Sequence, residues 1–207
     1  EIRHLIGTYQ EMVGEGLNVS LVMAGLPGAV STTLNDKVLT FLNRARKVSL
    51  PPLEQGEVDA FFKRSFDSLG IAIESGLRRS ASAYTAGSPY LLQLVGHYTC
   101  LYAEDGKVSE ESLAEALRTS GDDFQSDVCA TTLAALSERD VDFLEAMAEL
   151  GEPTSVAAVA EAMGATADYA QKYRRRLIDG GVIKSAGRGK VAFDVPFLAE
   201  HLRRRNE

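Results

Sequence analysis

The chain has 207 residues, 22 basic and 29 acidic, for a formal charge of −7, with 45% hydrophobic and 25% charged residues. That balance belongs to an ordinary folded chain and excludes wholesale disorder and collagen-like repeats. No apolar run approaches the ~20 residues that span a bilayer, so no membrane helix is expected, while two cysteines set among helix-forming residues suit free thiols in a reducing cytoplasm.

In chain order, Ile2, Leu5, Ile6, Tyr9, Met12 and Val13 recur at helical spacing, and Gly14 and Gly16 close that helix. The opening Glu1-Ile2-Arg3-His4 reads as the middle of a helix, so the chain is expected to be a piece of a longer protein. Asn18 to Ala24 is short and almost wholly apolar, the pattern of a strand buried on both faces. A helix is predicted over 31–43, and Lys47-Val48-Ser49-Leu50 as a second strand, stopped by Pro51-Pro52. Val58, Phe61, Phe62 and Phe66 mark the next helix, closed by Gly70. Gly87-Ser88-Pro89 then precedes an apolar helix, and Ser109 caps another.

From Ser137 the pattern tightens. Ser137-x-x-Asp140 opens a helix as a capping box. Thr154 or Ser155 caps a short second helix containing Val156, Val159, Ala160 and Met163. Gly164 turns the chain, Thr166 caps a third helix running to Asp179, and Gly180-Gly181 ends it. Val182–Ser185 and Lys190–Asp194 flank Ala186-Gly187-Arg188-Gly189, a hairpin signature. Three short helices followed by a glycine-tipped hairpin predict a winged helix-turn-helix. The fold class expected is therefore mainly α: a truncated α/β edge of about two strands over 1–53, a helical lid bundle over 54–136, and the winged domain over 137–207.

The charge is uneven, with a net of −6 over 1–136, −6 over 137–165 and +5 over 166–207. At about 100° per residue, Ala170, Tyr173 and Leu177 share one side of the third helix, and Lys172, Arg175 and Arg176 face away, with Arg174 on the flank. Apolar anchors opposite three cations suit a recognition helix crossing a phosphate backbone. Thr166, Tyr169, Gln171 and Lys172 lie where such helices begin and meet base edges, and Arg188 and Lys190 on the hairpin would reach the adjacent backbone. Double-stranded DNA is the partner this face suits. Asp168 and Asp179 dilute the face, and helix-turn-helix folds also serve as protein-interaction or autoinhibitory modules, so that reading stays open, as does a stand-alone transcription regulator.

Catalytic patterns are sparse. His4, His97 and His201 are scattered without ligand spacing, and the two cysteines, Cys100 and Cys129, are expected as buried free thiols. No metal site is expected. Gly25-Leu26-Pro27-Gly28 lacks the lysine and spacing of a phosphate-binding loop. The chain by itself is expected to bind no cofactor and to hydrolyse no ATP.

The buried run ending in Ala24-Gly25-Leu26-Pro27, then Leu50-Pro51-Pro52-Leu53, a bundle carrying Gly87-Ser88-Pro89, and a winged helix follow one another in a familiar order. This order resembles the C-terminal half of AAA+/STAND-type P-loop ATPases, particularly bacterial and archaeal relatives of the origin-recognition ATPases. The resemblance implies an ATP-dependent parent in which ATP and Mg²⁺ are held by a nucleotide-binding half before Glu1. It implies that Gly87 and Pro89 lie near the nucleotide, and that Arg44 or Arg46 stands where the family often places an arginine finger. Other protein partners are compatible with it, and a membrane is not.

Overall fold

The computed structural model describes residues 2–24, 44–46, 48 and 50–206. The chain divides into two compact units, one formed by Glu1–Ser49 with Glu152–Asp194, the other by Leu50–Gly151 with Val195–Glu207. The fold is mainly α with one small sheet, as the periodicity predicts.

In the first unit, helix α1 spans Ile2–Gly14 and buries Ile6. It ends before Gly16, whose φ of +79° is a left-handed conformation that glycine adopts without steric penalty. The apolar run Asn18–Ala24 forms no strand, and Val22 is 91% exposed. An apolar run becomes a strand only when neighbours take up its backbone groups, and among the described residues nothing pairs with this one. The first strand of the expected α/β edge is thus corrected to unpaired chain. The helix expected over 31–43 lies outside the described residues, and of the second expected strand Val48 and Leu50 carry no strand pairing.

The rest of the first unit is the helix-turn-helix with its hairpin. β1 (Thr154–Ser155) leads into a short helix, α8 (Val156–Ala162), and then α9 (Ala167–Asp179), β2 (Ile183–Ser185) and β3 (Lys190–Phe193). The strands form one antiparallel sheet in the order β1-β3-β2, with Thr154 opposite Val191 and Ile183 opposite Phe193. The Ser155 hydroxyl accepts from the Ala158 amide to cap α8, and Thr166 accepts from Tyr169 to cap α9. Val156, Val159, Ala160, Ala170, Leu177, Ile183 and Val191 are buried as its apolar interior. Met163, whose spacing continues that inward row and predicts burial, is half-buried at the residue that ends α8.

The second unit is a helical bundle of α2 (Gln55–Ser68), α3 (Ser75–Tyr84), α4 (Pro89–Leu101), α5 (Glu110–Phe124), a π-helical turn (Gln125–Cys129), α6 (Ala130–Ala134), α7 (Glu138–Leu150) and α10 (Leu198–Asn206). Val58, Phe62, Phe66, Ala81, Val95, Val108 and Leu113 form one hydrophobic core cluster within it, with Phe62 and Phe66 stacked 5.4 Å apart. Capping boxes open α5 at Ser109 and α7 at Ser137, where the Asp140 carboxylate accepts from the Ser137 hydroxyl at 2.6 Å. An aromatic row joins Tyr90, Phe124, Phe197 and Tyr84. Phe197 stands at φ +59°, a left-handed conformation held where its ring meets Tyr84 at 5.0 Å and Phe124 at 6.0 Å. The Cys129 thiol is buried and donates to the Pro196 carbonyl at 3.5 Å, and burial pushes its pKa up to about 12.

Candidate nucleic-acid interface

Helix α9 owes its orientation to three anchors. Ala170, Tyr173 and Leu177, one helical turn apart, are buried on one side, as the sequence predicts. Gln171, Lys172, Arg175 and Arg176 are exposed on the other. Arg176 lies over the Tyr173 ring, its guanidinium carbon 4.9 Å from the ring centroid, a cation–π arrangement that holds the charge near the helix surface. The Tyr173 hydroxyl donates to that of Tyr169 at 2.7 Å, and the two rings lie 4.7 Å apart. Tyr169 is 40% exposed at the start of the helix.

The hairpin stands beside α9. Its turn needs Gly187 at φ +111° and Gly189 at φ +70°, conformations that a side chain would strain, and the Ala186 amide closes it on the Lys190 carbonyl at 3.0 Å. This leaves Arg188 and Lys190 exposed near the tip. Lys184, also on the hairpin, pairs instead with Asp194 at 3.3 Å. Asp168 and Asp179, at the two ends of α9, are exposed as well. The predicted cations of α9 and those of the hairpin thus belong to one structural unit, which can present positive charge on a helix and an adjoining loop.

Other predicted residues lie elsewhere. Arg44 and Arg46 are exposed. Gly87 is buried at φ +74°, and a β-carbon there would stand 2.6 Å from the Leu53 carbonyl and 2.8 Å from Pro52. The Leu53 amide donates to the Gly87 carbonyl at 2.9 Å. The glycine is therefore required by close backbone packing against Pro52 and Leu53. Pro89 is exposed at the first turn of α4, capped by Ser88. Among the described residues no cluster of His, Cys, Asp and Glu could hold a metal ion, and no helix is long and apolar enough to cross a membrane.

Sequence reasoning places Arg174 on the flank of α9 but does not pair it with Ser185. Arg174 and Ser185 face each other between α9 and β2, with Arg174 Nη2 3.5 Å from Ser185 Oγ. Nothing in the spacing of either residue signals the other, because the contact spans the turn between helix and strand.

The fold and this face define a mainly α chain with a winged-helix-like unit. Residues 126–202 match a family described as a domain of unknown function, DUF8462, which is less than half of the chain. No curated protein matches. Solved structures similar to this chain include RuvB of Thermotoga maritima, titled a Holliday junction branch migration motor, at 20% identity and a TM-score of 0.33. A single-residue variant of that protein aligns at 18% identity and a TM-score of 0.34. Each similarity covers 74% of this chain and 50% of the other, so the chain spans about half the length of those proteins.

Proposed function

We propose that this chain is the lid and winged-helix part of an ATP-dependent switch protein, and that it contacts duplex DNA through α9 and the hairpin. The observation that carries the DNA contact is the two-sided build of α9: Ala170, Tyr173 and Leu177 are buried while Lys172, Arg175 and Arg176 are exposed, next to a hairpin exposing Arg188 and Lys190. Such a face neutralises phosphates regardless of sequence. Gln171, exposed early in the helix, has the amide that can pair with an adenine edge. The order of the parts supports an ATPase parent, in which the nucleotide chemistry belongs to residues outside this chain.

The test is fluorescence anisotropy of a labelled duplex against the full chain across a salt series. Each phosphate contact contributes a slope of about 0.9 log units, so Lys172→Ala, Arg175→Ala and Arg176→Ala together should flatten the dependence by roughly two to three units. Gln171→Ala should leave that slope unchanged and weaken only the preferred site, by about 1–3 kcal/mol. If the chain does not bind duplex at ~50 mM salt, the DNA reading fails and the unit is a protein-docking module.

A further inference from the structure

Arg174 differs from the other cations of α9. It is half-buried on the flank of the helix, and its Nε is buried with no hydrogen-bond partner. Its Nη2 reaches Ser185 Oγ on β2 at 3.5 Å, the outer limit of a hydrogen bond. Among the described residues no carboxylate stands within ion-pair distance of it, although Lys184 on the same strand has Asp194. A guanidinium cannot shed its proton at any physiological pH. A partly desolvated charge in that position, without a counter-charge, is unfavourable until an anion arrives.

The surroundings say which anion. Lys172 and Arg175 on α9, and Arg188 and Lys190 on the hairpin, are exposed in the same unit. A string of cations distributed over two adjoining elements fits a regularly spaced polyanion better than a single carboxylate. The planar fork of an arginine matches two oxygens of one phosphate.

We infer that Arg174 seats a backbone phosphate of the duplex at the seam between α9 and β2, so that helix and hairpin engage the DNA as one body. The inference rests on the DNA-binding reading above and adds to it a positioning residue outside the exposed face. Phosphate binding satisfies the charge, and the Ser185 contact keeps the guanidinium pointed at the seam. Arg174 thereby couples the two elements, whereas Lys172 and Arg175 act on one element each.

The experiment uses the full chain and the same labelled duplex of mixed sequence. Arg174→Gln is expected to flatten the salt slope by about 0.9 log units. Arg174→Lys should keep the slope and bind more weakly, because an ammonium keeps the charge and loses the fork. In a double-mutant cycle with Arg188→Ala, the fold-loss of the double variant should fall short of the product of the two single losses, since each variant breaks the same two-element grip. If Arg174→Gln lowers affinity while the slope stays at the wild-type value, Arg174 is only a packing residue and the inference is overturned. Should Arg174→Gln not fold, Ser185→Asp carries the test. A carboxylate there supplies the missing counter-charge, so it should raise the melting temperature while flattening the slope, and wild-type values for both would overturn the inference. If Lys172→Ala flattens the slope and Arg174→Gln does not, the seam fails while DNA binding stands. If the wild-type chain does not bind DNA, the underlying reading fails and the inference falls with it.

Discussion

Arg203 donates from its Nε to the Ala148 carbonyl at 2.9 Å, tying α10 to the last turn of α7. Its neighbours are engaged too: Arg205 pairs with Glu145 at 2.7 Å and Arg204 with Asp122 at 3.7 Å. In the sequence these three arginines belong to the basic C-terminal block. In the structure they hold helices of the bundle together, and a cation at the end of α7 also meets the negative end of the helix dipole.

Arg203→Ala should therefore act on stability. Losing a hydrogen bond from a charged donor costs about 1.5–3 kcal/mol, reduced here by solvent at the exposed part of the side chain. Urea unfolding should show the loss, while the salt slope of DNA binding should stay at the wild-type value. A flattened slope would place Arg203 on the interface instead.

Gly121 lies buried in α5, and the Tyr84 hydroxyl occupies the space a β-carbon would need. The Tyr84 ring cannot swing away freely, since Phe197 packs on it. Gly121→Ala would gain up to about 1 kcal/mol of helix propensity but lose about 1–3 kcal/mol to overpacking. The net result should be destabilisation. In a Tyr84→Phe background the hydroxyl is gone, so the same change should become neutral or stabilising, a sign reversal that thermal unfolding can read directly.

Leu177 is fully buried in α9. Leu177→Ala should cost on the order of 2–5 kcal/mol. Since it opens the interior beneath the cationic face, it should also weaken DNA binding without changing the salt slope. A variant that melts like the wild type would mean that the side chain is not enclosed.

Arg78 grips Asp59 with two hydrogen bonds, 2.8 and 3.1 Å, linking α3 to α2. The guanidinium hydrogen bond holds the Asp59 carboxyl below its ordinary value of 3.8, against the opposing effect of burial. A carboxyl whose pKa is depressed by folding contributes stability that is fully present above its unfolded pKa and lost as pH falls through the folded one. Stability should thus decline with acid below about pH 4, and Asp59→Asn should be less stable at neutral pH with a shallower acid decline. Equal slopes for the two proteins would show that the pair does not titrate with folding.

What could be read from the sequence was whatever local rules decide. Ser109, Ser137 and Thr166 cap their helices because the cap satisfies amides within three residues. The inward row of α9 follows from periodicity, and the hairpin from its glycines. What escaped depends on distant partners. β1 exists only because Val191 and Lys190 lie opposite Thr154 and Ser155. The π-helical turn inserts its residues without any signature in composition. Apolarity alone predicts a strand at Asn18–Ala24, and it cannot reveal whether a neighbour is there to pair with it. The charge of 166–207 was legible as a total but not as an allocation, since Arg203 to Arg205 serve the bundle and Lys184 is paired.

The aromatic row through Phe197 bears on how this protein can be dissected. A piece cut to begin at the Ser137 capping box would carry α7, the hairpin and α10, but would leave behind Tyr84 and Phe124, the rings that enclose Phe197, and Cys129, whose thiol meets Pro196. Such a piece would present an apolar wound at a residue already held in a left-handed conformation, and self-association is its natural remedy. A piece beginning at Leu50 keeps every part of the second unit and with it these enclosures, and comparing its solubility with that of the shorter cut would show whether the enclosures set the boundary.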